Sequence, residues 1–367
     1  PVGAPDDLCV AIYTSGSTGT PKGALLEHRS GCHVVMATIA EQGITAEDRI
    51  SKHACCSCDA SMREILTALM SGAALHVLPD EIRLSLGQLN EYFEREGITW
   101  AFLTTQLGEQ FMDFVDNHSL RVLMVGGEKL RIFKQRHYQL VNIYGPTECS
   151  IYATVCPVGQ QEENIPIGRP VPNCSIYILD DCGHPQPAGY AGELCIGGPG
   201  VGRGYHNRPE KTEATFVPDP FCEGATMYRS GDLACWRDDG QLLHLGRIDR
   251  QVKLRGFRVE LGEIENAMLS TAGVTEAAVM DFKDGAGHVY LCGYFCGEPE
   301  EEHILEELTV KVPEFMVPAH MVKLEAMPLN ASGKIDRRQL PAPELKASAD
   351  AEYIAPEGEL ETCLLYT

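Results

Sequence analysis

The segment Leu8–Gly23, LCVAIYTSGSTGTPKG, joins a short apolar run to a loop of glycine, serine and threonine that closes on one lysine. The run Leu8–Tyr13 is continuous and bounded by turn residues, which predicts a buried strand. The loop therefore hangs from a strand end. Its glycines let backbone N–H groups approach a ligand, Thr14, Ser15, Ser17 and Thr18 add hydroxyl donors, and Lys22 adds a compact positive charge. That set suits a phosphate group, although Gly/Ser/Thr-rich segments also serve as plain linkers. The loop is not a Walker loop, because Gly23 follows Lys22 where Ser or Thr would stand.

Working outward, 367 residues allow two or three domains, and 44% hydrophobic with 22% charged residues is an ordinary globular composition. A net charge of −22 argues against binding nucleic acid or an anionic membrane surface. No apolar stretch reaches the length of a membrane span, and Pro1–Asp7 lacks the charged and apolar regions of a signal peptide, so the chain reads as cytoplasmic. Among the 15 cysteines, the group Cys55, Cys56 and Cys58 has no second pair at zinc-like spacing; the thiols read as reduced core residues.

From Leu8 to about Val155, apolar runs (Leu75–Leu78, Trp100–Leu103, Val122–Val125) alternate with helical patterns at Met62–Met70 and Leu86–Glu96, the mark of an α/β fold with a mostly parallel sheet. Glycine and proline become dense from Ser175 to about Leu245, as in antiparallel strands and turns. From about Arg250 to Leu340 the pattern is a small α+β domain: helices at Leu261–Leu269 and Glu301–Lys311, strands at Ala277–Phe282 and Val289–Phe295. The tail from Ala342 has linker composition.

The opening loop is followed, in order, by NIYGPTE (Asn142–Glu148), GELCIGGPGVGRGY (Gly192–Tyr205), YRSGD (Tyr228–Asp232), GRIDRQVKLRGFRVELGEIE (Gly246–Glu265), VPEFMVP (Val312–Pro318) and SGKIDR (Ser332–Arg337). With this series the whole chain resembles the adenylation domains of nonribosomal peptide synthetases, within the adenylate-forming superfamily that includes acyl-CoA synthetases and luciferases. The resemblance implies a large AMP-binding domain over residues 1–248, with a β-rich subdomain at about 170–248. A small C-terminal domain over 249–341 and a linker leading into a carrier domain over 342–367 would follow. Family members carry a substantial portion ahead of the phosphate loop, so the chain reads as N-terminally truncated.

The implied chemistry is attack of a carboxylate on the α-phosphorus of ATP, which depends on positioning and charge stabilisation. By resemblance, Thr14, Ser15, Gly16, Ser17, Thr18, Gly19 and Lys22 would wrap the phosphates. Glu148, with Thr147 beside it, would bind Mg²⁺ as a hard oxygen donor. Tyr144 would lie against adenine, Asn142 would reach its amine, and Asp232 and Arg247 would hold the ribose. Lys334 would be the catalytic lysine bridging substrate and nucleotide, and Asp249 the hinge between domains. The product would pass to the phosphopantetheine thiol of a carrier domain in cis.

Asp59, in CCSCDASMREIL (Cys55–Leu66), falls where these domains place the partner of the substrate's α-ammonium; helix N-cap is its plainer role. An aromatic residue usually precedes it, and here Cys58 does. By the same resemblance the remaining pocket positions would be Ala60, Arg63, Phe102, Met124, Gly126, Ile143, Ile151 and Tyr152. Gly126 suggests depth, and the apolar lining favours an aliphatic amino acid if Arg63 points outward. If Arg63 points inward, the substrate class becomes glutamate or aspartate. Competing readings are a D-alanine:carrier-protein ligase, an acyl-CoA ligase, against which Asp59 argues, or an inactive docking module.

Overall fold

The computed structural model describes residues 3–14, 21–248, 251–254, 257–284, 289–328 and 335–343. The chain divides into two compact units, Lys22–Asp249 forming most of the first and Arg250–Thr362 most of the second.

The centre of the first unit is a seven-stranded sheet with spatial order Ala74–Val77, Arg49–Lys52, Trp100–Thr104, Val122–Gly126, Gln139–Tyr144, Thr154–Val158, Arg169–Pro170. The first five strands run parallel, and the last two pair antiparallel. Helices His28–Gln42, Asp59–Ser71, Leu86–Glu96 and Thr105–Phe114 alternate with its strands, as the sequence pattern predicts. Side chains along a strand alternate between faces, so the sheet separates two cores. Ala101, Leu103, Leu123 and Val125 join Phe93 and Phe111 on one face. Trp100, Phe102, Met124 and Ile143 join Ala60 and Tyr152 on the other. That alternation, with Phe102 level with Met124 and Gly126 level with Ile143, puts the expected pocket positions of three strands on one face.

A five-stranded antiparallel sheet contains Ser175–Leu179, Gly192–Gly197, Phe216–Pro218, Thr226–Trp236 and Leu242–Arg247. Its last pairing sets Asp232 opposite Arg247. A three-stranded sheet combines Leu8–Thr14, Lys22–Glu27 and Gly204–Tyr205, with Tyr205 opposite Ala24. The strand Leu8–Thr14 lies at the edge of this small sheet, and most of its residues are half or fully exposed. The expectation of a buried strand is thus corrected: a continuous apolar run specifies strand, but burial depends on what covers its faces.

The second unit packs helices Leu261–Leu269 and Glu301–Lys311 with a three-stranded sheet of Val274–Lys283, Val289–Gly297 and His320–Lys323. Leu261, Ile264, Met268, Val279, Phe295, Ile304 and Leu308 form its core. No helix among the described residues is long and apolar enough to cross a membrane.

Candidate active site

The NIYGPTE segment turns from the end of a sheet strand into the 3₁₀ turn Thr147–Cys149. Gly145 is required there, because a Cβ would stand 2.3 Å from the Cα of Tyr152. The chain then passes through Ser150 and Ile151 at φ 59° and 81°. For a β-branched residue such as Ile151 this is a strained conformation, and it lies between the turn carrying Glu148 and the buried Tyr152.

Glu148 and Lys22 are both buried and form an ion pair, Nζ to Oε1 3.0 Å. The Lys22 ammonium also donates to the Tyr205 hydroxyl at 3.2 Å, and that hydroxyl donates to Glu148 at 2.7 Å. Lys22 and Glu148, expected on phosphate and metal respectively, are here each other's partners. Tyr205 was not singled out by the sequence reading; its signal is its position at the end of the GELCIGGPGVGRGY motif, which the three-stranded sheet carries beside Lys22.

A second cluster forms around Asp232. Its carboxylate accepts from the Tyr144 hydroxyl at 2.6 Å and from Arg247 at 2.9 Å, with His244 Nε2 at 3.1 Å. Burial, reinforced by Asp232, holds the Tyr144 phenol well above its usual range. Arg247 reaches the Ser230 carbonyl as well. Tyr144, Asp232 and Arg247 are thus brought together, and His244 joins them as a member the motifs did not reveal. Asn142 is buried and donates to the Pro166 carbonyl at 2.8 Å.

The expected substrate positions also converge. Ala60, Phe102, Met124, Ile143, Ile151 and Tyr152 belong to one buried cluster. Asp59 is the first residue of its helix and Cys58 the N-cap, which corrects the N-cap reading of Asp59. Burial pushes the Asp59 carboxyl up, opposed by hydrogen bonds from Thr147, Cys58 and the Ala60 backbone and by the charge of Arg63. The space expected above Gly126 is filled: a Cβ there would meet the Ile143 side chain at 2.7 Å.

Arg63 points inward and is fully buried. Its guanidinium carbon lies 4.5 Å from the Phe102 ring centroid and 5.5 Å from those of Trp100 and Tyr152. None of its three nitrogens has a hydrogen-bond partner among the described residues. The outward orientation on which the aliphatic preference depended is therefore overturned. The cysteine reading is corrected in part as well: Cys149, Cys195 and Cys292 are buried, but Cys55 and Cys56 are exposed free thiols. Ser15, Gly16, Ser17, Thr18, Gly19, Asp249 and Lys334 lie outside the described residues.

Two family profiles match the chain, AMP-binding enzyme over residues 1–206 and AMP-binding enzyme C-terminal domain over 263–334. The chain belongs to the AMP-binding enzyme family. It is 44% identical over 361 residues to bacitracin synthase 1 of Bacillus licheniformis and 43% identical over 360 residues to surfactin synthase subunit 1 of Bacillus subtilis (strain 168). Each alignment covers 98% of this chain, which spans 7% and 10% of those two proteins. Among solved structures, the fold of this AMP-binding enzyme is similar to holo-PA1221, an NRPS protein containing adenylation and PCP domains bound to a vinylsulfonamide inhibitor. That match has a TM-score of 0.81 at 29% identity over 92% of this chain and 60% of the other. The Vibrio cholerae adenylation domain AlmE, in complex with glycyl-adenosine-5′-phosphate, gives 0.81 at 26% identity over 92% and 67%.

Proposed function

We propose that this chain activates an α-amino acid with ATP and hands the aminoacyl group to a carrier-domain phosphopantetheine thiol. The observation that carries the reading is that Ala60, next to the buried Asp59, packs in one cluster with Ile143 and Ile151, which flank the turn carrying Glu148. That packing supports a reading in which the carboxylate suited to an α-ammonium lies near the turn expected to hold the nucleotide. A fatty or aryl acid has no ammonium for Asp59 to pair with. Relatives named as bacitracin and surfactin synthases, and structural neighbours named as adenylation-domain proteins, support the same reading.

In the adenylation step a substrate carboxylate oxygen forms a bond to the α-phosphorus as the α–β phosphoanhydride bond breaks and pyrophosphate leaves. The buried Glu148 carboxylate offers the hard oxygen donor that Mg²⁺ requires, and Lys22 the compact cation a phosphate takes, so the donor set fits MgATP. Bound there, the metal would supply charge neutralisation on the phosphates. Asp232 and Arg247 would hold ribose hydroxyls, with Tyr144 against adenine and Asn142 near its amine. Lys334 would stabilise charge developing between substrate and nucleotide, and Asp249 would serve as the hinge between half-reactions.

Amino-acid-dependent exchange of pyrophosphate into ATP, measured across all twenty amino acids on the full-length protein carrying this chain, tests the reading. Exchange with one amino-acid class, lost in Asp59→Ala, is the expected outcome. Undiminished amino-acid turnover by Asp59→Ala would remove that residue from the pocket.

A further inference from the structure

Resting on the amino-acid adenylation reading, we infer that Arg63 selects the substrate, and that the substrate is an α-amino acid with a side-chain carboxylate. Arg63 is completely buried, and its three guanidinium nitrogens have no hydrogen-bond partner among the described residues. A buried charge without a partner is costly, and a planar guanidinium matches a carboxylate with two parallel hydrogen bonds.

The neighbours cannot supply that partner. Trp100 offers only an N–H, Phe102 only a ring, and the Tyr152 hydroxyl lies 2.8 Å from Thr38 Oγ1. The rings give cation–π contact to the guanidinium face but leave its N–H edge unsatisfied. The two adjacent carboxylates are engaged elsewhere. Glu64 accepts from the backbone N–H groups of His53 and Ala54, and Asp59 accepts from the Cys58 thiol at 3.4 Å.

The spacing of Asp59 and Arg63 supports the choice of ligand. They sit four residues apart on the helix Asp59–Ser71, hence on one face and about 6 Å apart along the axis. An anionic and a cationic side chain one turn apart on one helix face suit the α-ammonium and side-chain carboxylate of a short dicarboxylic amino acid. With the ammonium at Asp59 and the side-chain carboxylate at Arg63, the α-carboxylate is the one left free to react. A neutral aliphatic side chain in the same place would keep the guanidinium desolvated and unpaired.

The test is pyrophosphate exchange by the full-length protein with aspartate and glutamate against asparagine, glutamine, leucine and methionine. The acid should exceed its own amide on the order of 100-fold or more, since a site built for a polar group rejects the analogue lacking it. Arg63→Met should abolish that ratio and give neutral amino acids the advantage. If the methionine variant does not melt cooperatively, Arg63→Lys decides instead, with an acid-to-amide ratio reduced about tenfold but still above one. Exchange supported only by neutral amino acids, or a ratio unchanged in the folded Arg63 variant, would overturn the inference while leaving amino-acid adenylation standing. Silence with every amino acid would remove both.

Discussion

Lys22 and Arg63 are both buried cations in the same unit, and the fold treats them oppositely. Lys22 has Glu148 at 3.0 Å and the Tyr205 hydroxyl at 3.2 Å. Arg63 has three aromatic rings and no acceptor among the described residues. In the first region the charge is neutralised within the chain, so any anion that takes Lys22 must compete with Glu148. In the second no described residue accepts from the guanidinium, and that desolvation cost persists until a ligand offsets it. A buried cation therefore does not announce its role by burial alone; its partners do.

The largest expected effect comes from breaking the neutralised pair. Lys22→Ala removes the cation paired with the buried Glu148 carboxylate, and removal of one partner from such a pair costs about 3–5 kcal/mol. Denaturant unfolding of Lys22→Ala, Glu148→Ala and the double variant measures it. The double variant should be more stable than the sum of the two losses. Strict additivity would show that the pair contributes no coupling and would erase the contrast with Arg63.

Glu64, next to Arg63 in sequence, sharpens the comparison. Burial pushes its carboxyl up to about 7, against the opposing charge of Arg63 and the His53 and Ala54 N–H groups. Were Glu64 a true ion-pair partner, its pKa would fall. Because the folded value is raised, the protonated form contributes stability that is full below the unfolded pKa of about 4.3 and lost as pH rises through about 7. Glu64→Gln keeps an acceptor oxygen and removes the titration. It should therefore gain on the wild type between pH 4 and pH 8 by roughly 2–4 kcal/mol. Melts at both pH values check this; a pH-independent difference would mean that Glu64 is charged throughout and serves Arg63 after all.

Much of this arrangement was legible in the sequence. The helices Leu261–Leu269 and Glu301–Lys311 have the bounds their periodicity gives, and the motif order brings Tyr144, Asp232 and Arg247 together. What was not legible depends on neighbours. The pattern around Asp59 starts, by apolar residues, at Met62, but the helix buries Asp59, Ala60, Ser61, Arg63, Glu64, Thr67 and Ala68 while Leu69 and Met70 are exposed. Five of these seven buried residues are polar, while Met62 and Leu66 pack only partly buried against the core, so hydrophobic periodicity does not reveal the most buried positions. Gly126 likewise promised depth that the Ile143 side chain occupies. Side-chain direction in a sheet follows from alternation; whether the space is empty follows from the strand beside it.

The smallest effect separates the two cations most directly. Removing Lys22 takes the cation from a buried carboxylate at 3.0 Å, whereas Arg63→Met breaks no hydrogen bond among the described residues. Methionine fills a similar volume with a flexible apolar chain and ends the desolvation of a charge, at the loss of cation–π contact worth about 0.5–2 kcal/mol. These contributions oppose each other, so stability without substrate should change by less than about 1 kcal/mol in either direction. Denaturant midpoints of the wild type and Arg63→Met, taken without nucleotide or amino acid, measure the change. A loss as large as that of Lys22→Ala would mean that Arg63 is held by the fold itself, and the contrast between the two regions would vanish. A near-neutral result, combined with altered exchange specificity, would mean that the chain keeps a buried charge that its own stability does not need.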